Sequence, residues 1–200
     1  LISNVRFDLG ILEGWIDPNS RVLDLGCGDG TLLRFLMDSK QVQGYGLEID
    51  RNSIVKCIEK GVNVVEQDLD LGLGNFSDDS FDTVVITQSI QVLSRPDIIL
   101  DDMLRVGNEC IVTFPNFGSW RSRTSIGLRG RMPVTRQLTY QWYDTPNIHF
   151  CTVTDFEALC EEKNINILAR RFVAERFLDA KLKDTFPNVF AETAVYHLTK

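Results

Sequence analysis

The residues best suited to chemistry lie in Asp24-Leu-Gly-Cys-Gly-Asp-Gly30, three alternating glycines directly behind the apolar run Arg21–Leu25. Without Cβ atoms, Gly26, Gly28 and Gly30 can take turns closed to other residues and let a ligand lie against the main chain. Glu48 follows Gly28 by 20 residues, at the end of a second apolar run, "GYGLEID". A carboxylate at such a strand end can accept hydrogen bonds from both hydroxyls of a ribose. Asp68, in "EQDLD", stands at the corresponding place after a third run. Dinucleotide sites spell GxGxxG and hold a pyrophosphate at the helix start. Here the order is GxGxG, and Asp24 in front of it would repel a pyrophosphate but suits an ammonium group. A bare glycine turn is the alternative, yet the three acidic positions together make the loop one wall of a ligand site.

The elements that must hold these residues can be read from periodicity. Arg21–Leu25, Gly44–Ile49, Val62–Glu66, Thr83–Thr87 and Cys110–Phe114 read as buried strands, and Ile165–Arg171 and Thr193–Thr199 as two last ones. Between them Leu32, Leu33, Leu36 and Met37 recur at helical spacing, as do Ile54, Val55 and Ile58. Ile99, Leu100, Met103 and Leu104 repeat the pattern behind Pro96, a good first helical residue. Leu9, Leu12 and Ile16 suggest a helix ahead of the first strand. Thr154 and Glu157 have the spacing of a capping box for a helix carrying Phe156, Leu159 and Cys160. Strands alternating with helices call for a mostly parallel α/β sheet with right-handed crossovers and helices on both faces. In such sheets ligands bind beyond the carboxyl ends of the strands, where the glycine loop falls.

Composition narrows the function. The 200 residues carry 28 acids against 21 bases, a net charge of −7, which argues against a general nucleic-acid binder. No apolar run reaches the ~18 residues of a membrane span, and nothing after Leu1 has the form of a signal peptide. Five cysteines without a CxxC pair read as free thiols of a reducing cytoplasm, and two histidines leave a zinc site few ligands. There is no repeat or low-complexity linker, so residues 1–200 are expected to form a single domain.

The glycine loop, Glu48 and Asp68 together resemble the class I S-adenosylmethionine-dependent methyltransferases. The resemblance implies one Rossmann-like domain with a seven-stranded sheet, mostly parallel, its last strand antiparallel. It implies S-adenosylmethionine or S-adenosylhomocysteine as ligand, held by Asp24, Gly26, Cys27, Gly28, Gly30, Glu48, Ile49, Asp68, Leu69 and Gln88. In that set Asp24 and the loop take the methionyl part, Glu48 the ribose, Ile49 the adenine face and Asp68 the exocyclic amine. Gln88 and Ser89, ending the fourth strand, would face the sulfonium, either as catalytic groups or simply as hydrogen-bonding ones. Methyl transfer to a basic nucleophile needs chiefly in-line positioning. The Asn-Pro-Pro-Tyr signature of amino-group methylases is absent, and so is the cysteine of cytosine methylases. His149 invites a general-base role, with Tyr143 and Gln88 as further weak candidates. A structural role for His149, fixing its loop against the fifth strand, fits equally well, and His197 reads as a strand residue.

About 40 residues between Phe114 and Thr154 lack clear periodicity, and a connection of that length usually serves a purpose. From Pro115 to Tyr143 the chain holds five arginines (121, 123, 129, 131 and 136) and no acid, interleaved with Trp120, Met132, Tyr140, Trp142 and Tyr143. Arginine forks suit carboxylates and phosphates, and this composition is enriched at interfaces. Arg121, Arg129, Arg131, Trp142 and Tyr143 are therefore candidate substrate or partner residues, within an insert at about 115–153. A lid folded back on its own domain is the alternative.

Longer stretches narrow the resemblance further. "VLDLGCGDGTLL", "GVNVVEQDLDLGL", "FPNFGSWRSR", "LRGRMPVT" and "WYDTPNIHFCTVTDFEALC" together look like the bacterial methionine biosynthesis MetW family, from about Asn4 to about Arg171. The insert segments "RGRMPVT" and "YDTPNIHFC" are the most particular. This resemblance implies a partner of homoserine O-acyltransferase, supporting the first acylation step of methionine synthesis, and it supplies no catalytic residue. A methyltransferase acting on a small anionic acceptor, clamped by the insert, is the alternative.

Overall fold

The computed structural model describes residues 2–135, 137–174 and 177–200, and the side chains of these except 2–8, 177 and 178. Arg136, one of the five insert arginines, lies outside the described residues.

Seven strands form one sheet: β1 (Arg21–Leu25), β2 (Gln43–Glu48), β3 (Asn63–Glu66), β4 (Phe81–Thr87), β5 (Gly107–Pro115), β6 (Asn166–Val173) and β7 (Thr193–Thr199). Their order is β3-β2-β1-β4-β5-β7-β6. Every pairing is parallel except those of β7, which runs antiparallel to both β5 and β6. Strand order reverses between β1 and β4, so the end of β1 is the switch point where a ligand site belongs. The expected strands are all present; β4 and β5 begin two and three residues earlier than their apolar runs suggest, and the others agree to within two residues at either end.

The helices are α1 (Ile2–Trp15), α2 (Thr31–Lys40), α3 (Arg51–Glu59), α4 (Pro96–Val106), α5 (Trp120–Arg129), α6 (Val153–Glu162), α7 (Phe177–Leu182) and α8 (Pro187–Phe190). Alternation along the central strands divides the core into two layers. Val22, Val85, Ile111 and Val195 pack with Leu12, Leu33, Leu36 and Cys57 of the first three helices. Leu23, Ile86, Val112 and Tyr196 face Leu100, Met103 and Phe156 of α4 and α6.

The capping box of α6 is formed by Thr152 and Asp155, not by Thr154 and Glu157. Starting the helix at Val153 buries Val153, Phe156 and Cys160 on one stripe, and Asn116 Oδ1 accepts the Val153 N–H. Glu157 instead accepts the buried Tyr196 hydroxyl at 2.8 Å. The insert, read as aperiodic, contains α5. His197 is a β7 residue as expected, but it also pairs with Glu109 at 2.7 Å and stacks on Trp15.

Gly46 faces Asp24 across the β1–β2 ladder. A Cβ at Gly46 would collide with Cys27 Sγ, so the glycine is what lets the loop cysteine tuck against β2. Gly46→Ala is expected to lower stability by about 1–3 kcal/mol through overpacking, read as a lowered urea midpoint. An unchanged midpoint would show that Cys27 has another place to go.

Candidate functional site

The turn that follows β1 is fixed by its backbone. Gly26 N and Cys27 N both donate to Leu47 O, at 2.9 and 3.0 Å, which binds the loop to the end of β2. Gly26, Gly28 and Gly30 have φ of +70°, +56° and +73°, a region that L side chains rarely adopt. A Cβ on Gly26 would lie 2.9 Å from Ser89 Oγ and 4.0 Å from a Leu69 methyl, so the ends of β1 and β4 and the loop after β3 converge there. Around Gly28 nothing stands within 4 Å of the Cβ position, leaving room for a ligand against the main chain.

Two carboxylates flank this opening. Asp24 is 1% exposed, and its Oδ1 has no hydrogen-bond partner. Burial, with a smaller contribution from the nearby Glu48 charge, pushes its carboxyl up to about 7. A buried carboxylate oxygen without a donor is costly, and a cationic donor arriving there removes the cost. Glu48 accepts from Gly28 N at 2.8 Å on Oε2, and from Ile49 N and Asp50 N at 2.8 and 2.9 Å on Oε1. Since a carboxylate offers about four acceptor positions, Oε2 keeps one for a further donor.

The remaining loop residues are positioned from neighbouring elements. Cys27 Sγ lies 3.8 Å from Cys57 Sγ of α3, and all five cysteines are free. Lys60 reaches across to Asp29 Oδ2 and Thr31 Oγ1, at 2.6 and 2.8 Å, bracing the start of α2. Desolvation acts against Asp29's charge, but the hydrogen bonds from Lys60 and Thr31 prevail and hold its pKa below the ordinary value. Ile49 is exposed beside Glu48, as an apolar wall. Asp68 caps the 3-10 turn Leu69–Leu71 by accepting Asp70 N. Asp70, which the sequence did not single out, accepts from Ser94 N and Oγ at 2.8 and 2.9 Å and ties that turn to the loop after β4. Gln88 directly follows β4 at φ +55°, with its N–H directed at Thr113 O and Oγ1 of β5. The structure thus gathers Asp24, the glycines, Cys27 and Glu48 at the ends of β1 and β2, with Leu69 and Ser89 against Gly26.

His149 and Tyr143 belong to a different neighbourhood. His149 Nε2 is 3.2 Å from Ser94 O, and its backbone N–H donates to Gln91 O. It therefore braces its loop against the segment after β4; the link to the end of β5 is made instead by Phe117 N to Cys151 O. Tyr143 is exposed, edge-on to Trp142.

Within the insert the arginines divide. Arg121 ion-pairs with Glu192 at 2.5 Å and lies 3.8 Å from Asp179, both acids being largely buried. Arg123 donates to Gly118 O at 2.6 Å. Arg129 and Arg131 are exposed, at the end of α5 and just beyond it. A groove of about 470 Å³ runs along α5, walled by Trp120, Arg121, Leu128, Arg129 and Val134. Exposed around it and beyond are Leu128 at 85%, Trp142 at 73% and Tyr143 at 71%, with Met132, Tyr140 and Ile148 also open to solvent. Because Arg121 neutralises buried acids, Arg121→Ala is expected to lower stability by about 2 kcal/mol or more. A thermal melt checks it, and an unchanged melting point would put Arg121 back among the surface arginines.

Among the described residues no helix is long and apolar enough to cross a membrane, and no group of three His, Cys, Asp or Glu could hold a metal ion. A S-adenosylmethionine-dependent methyltransferase from Archaeoglobus fulgidus superposes with a TM-score of 0.73 at 17% identity, covering 98% of this chain and 93% of that one. One from Mesorhizobium loti gives 0.67 at 16%, covering 96% of each. At such identities the likeness establishes the fold: a single class I methyltransferase-type α/β domain. In sequence the chain is 33% identical over 189 residues to a bifunctional methionine biosynthesis protein MetXA/MetW of Rhodopirellula baltica. That match takes in 90% of the chain but only 30% of the relative's length. The profile of the family described as methionine biosynthesis protein MetW matches residues 6–198, and the chain belongs to that family.

Proposed function

We propose that the chain binds S-adenosylmethionine or S-adenosylhomocysteine across the glycine loop and acts as a cytoplasmic partner of homoserine O-acyltransferase, adjusting acyl transfer. For the ligand, the supporting observations are the donorless Asp24 Oδ1 at the end of β1 and the open Cβ position of Gly28 in the turn that follows. Asp24 would take the ammonium group, the remaining acceptor position of Glu48 Oε2 a ribose hydroxyl, and Ile49 one face of the adenine. Asp68 would take the exocyclic amine. When bound, S-adenosylmethionine supplies an electrophilic methyl on sulfur; Gln88 and Ser89 would line that end of the site.

For the partner, support comes from the insert, which presents aromatic and aliphatic surface with Arg129 and Arg131 and no acid from Pro115 to Tyr143. A relative in which MetXA and MetW share one name, hence one chain, places the two activities together there. The insert is rooted at Pro115, two residues beyond Thr113, whose carbonyl and hydroxyl receive the Gln88 N–H. A partner held on the insert and a ligand held near β4 would thus act on neighbouring residues of β5, and coupling requires that the ligand bind the coupled and uncoupled forms with different affinity.

Calorimetric titration with S-adenosylhomocysteine tests the first half, and absence of heat at high concentration would reject it. Acyl transfer by the partner enzyme, measured with and without this chain and the cofactor, tests the second; no complex and no change in rate would reject that. The groove along α5 supports a second reading, a methyltransferase whose anionic acceptor meets Arg129 there. Transfer of labelled methyl from the cofactor into a cell extract would favour it.

A further inference from the structure

A second cavity, of about 260 Å³, opens between the segment after β4 and the start of α6. Ile90, Pro96, Phe150, Phe156 and Leu159 give it apolar walls, its polar lining is Gln91, His149 and Asp155, and the Cys151 thiol completes it. Gln91 and Asp155 bring acceptor oxygens to it, and the Cys151 thiol is at most a weak donor. Gln91 is 7% exposed and its amide orientation is fixed, because Nε2 donates to Gln88 O at 2.7 Å. Its Oε1 is then buried with no donor within reach. His149 Nε2 faces Ser94 O, which can only accept, so Nε2 carries a proton and is committed to that carbonyl. Asp155 Oδ2 already accepts from Thr152 N and Oγ1 in the capping box, leaving its charge at the rim. Among the described lining residues there is no lysine or arginine.

An apolar cavity with a donorless buried oxygen selects for a ligand that brings the donor, since an unsatisfied buried acceptor costs more than the hydrogen bond itself returns. The same lining repels an anion. We propose that this cavity is a binding site for a small, uncharged, largely apolar molecule bearing an N–H or O–H donor, the donor meeting Gln91 Oε1. This separates it from the arginine-walled groove along α5, which suits the opposite charge class. It is also separate from the cofactor reading: none of its lining residues belongs to the proposed cofactor set, and the one link is the hydrogen bond from Gln91 Nε2 to Gln88 O.

Indole, benzofuran and benzoate are suitable probes: the first two share a shape but only indole donates, and the third is anionic. By ligand-observed NMR on the full chain, indole is expected to bind at least tenfold tighter than benzofuran, with benzoate not binding. Gln91→Met keeps the side-chain length and removes the acceptor, so the preference for indole should disappear while benzofuran binding persists. Leu159→Trp fills the cavity and should abolish binding of both, which keeps the test alive should Gln91→Met fail to fold. Equal binding of indole and benzofuran to the unaltered chain, no binding of either, or binding unaffected by Leu159→Trp would each overturn the proposal. Displacement of indole by S-adenosylhomocysteine would overturn its independence from the cofactor site.

Discussion

Asp24→Asn is expected to weaken S-adenosylhomocysteine binding by roughly 10- to 100-fold, the ~1.5–3 kcal/mol of a hydrogen bond to a charged group, while making the free protein more stable. The two effects have opposite signs because the same burial drives both. In the free chain Asp24 is held up to about 7 by desolvation first and by Glu48 second, from an ordinary value of 3.8. Below the lower value the carboxyl is protonated folded or unfolded. Between the two values only the unfolded chain ionises, so stability falls as pH rises through this window and levels off above it. The loss is on the order of a few kcal/mol, and asparagine should remove the slope. Affinity for the cationic ammonium should conversely rise with pH as Asp24 ionises, and in the asparagine variant it should not. Urea midpoints and titration calorimetry between pH 5 and 8 measure both. A variant that keeps the pH slope, or that binds as tightly as the parent, would remove Asp24 from the site.

Combining Arg129→Glu and Arg131→Glu with Trp142→Ala should abolish a measurable complex with homoserine O-acyltransferase while leaving S-adenosylhomocysteine binding unchanged. Loss of a central tryptophan anchor costs about 2 kcal/mol or more, roughly 30-fold, where the residue is a hot spot. The two charge reversals should act mainly on association rate and should be most severe at low salt. The contrast with Arg121→Ala is informative, since that arginine is committed to Glu192 and Asp179 inside the molecule. Its loss should lower stability with little direct effect on a complex formed below the melting point. Should the triple variant still copurify with the enzyme, the insert is not the docking face.

Much of this could be read from residue order because period and punctuation agree. The central strands β1, β4 and β5 are largely buried apolar runs, and the glycine loop, Glu48 and Asp68 stand at the ends of three successive strands. The insert was harder to read for a physical reason: α5 buries only Ser122, so its Leu128 and Ile126 trace no inward stripe. The start of α6 was ambiguous because Thr152–Asp155 and Thr154–Glu157 both have capping spacing, and only burial of Val153 chooses between them. Arg121 cannot be told from Arg129 by type or neighbourhood, since its partners stand about 60 and 70 residues away in sequence. The donorless oxygen of Gln91 depends on which way an amide is turned, which residue order does not encode.

Glu48 has one more implication. Its three main-chain hydrogen bonds hold Gly28, Ile49 and Asp50 in one arrangement with no ligand needed to impose it. The conformational entropy of the turn is therefore lost on folding rather than on binding, and the site is preorganised. Association should be a single fast phase whose rate rises linearly with ligand concentration, with no slow loop closure behind it. Glu48→Ala would release the turn, and the deficit would then appear as a less favourable binding entropy as well as a lost contact.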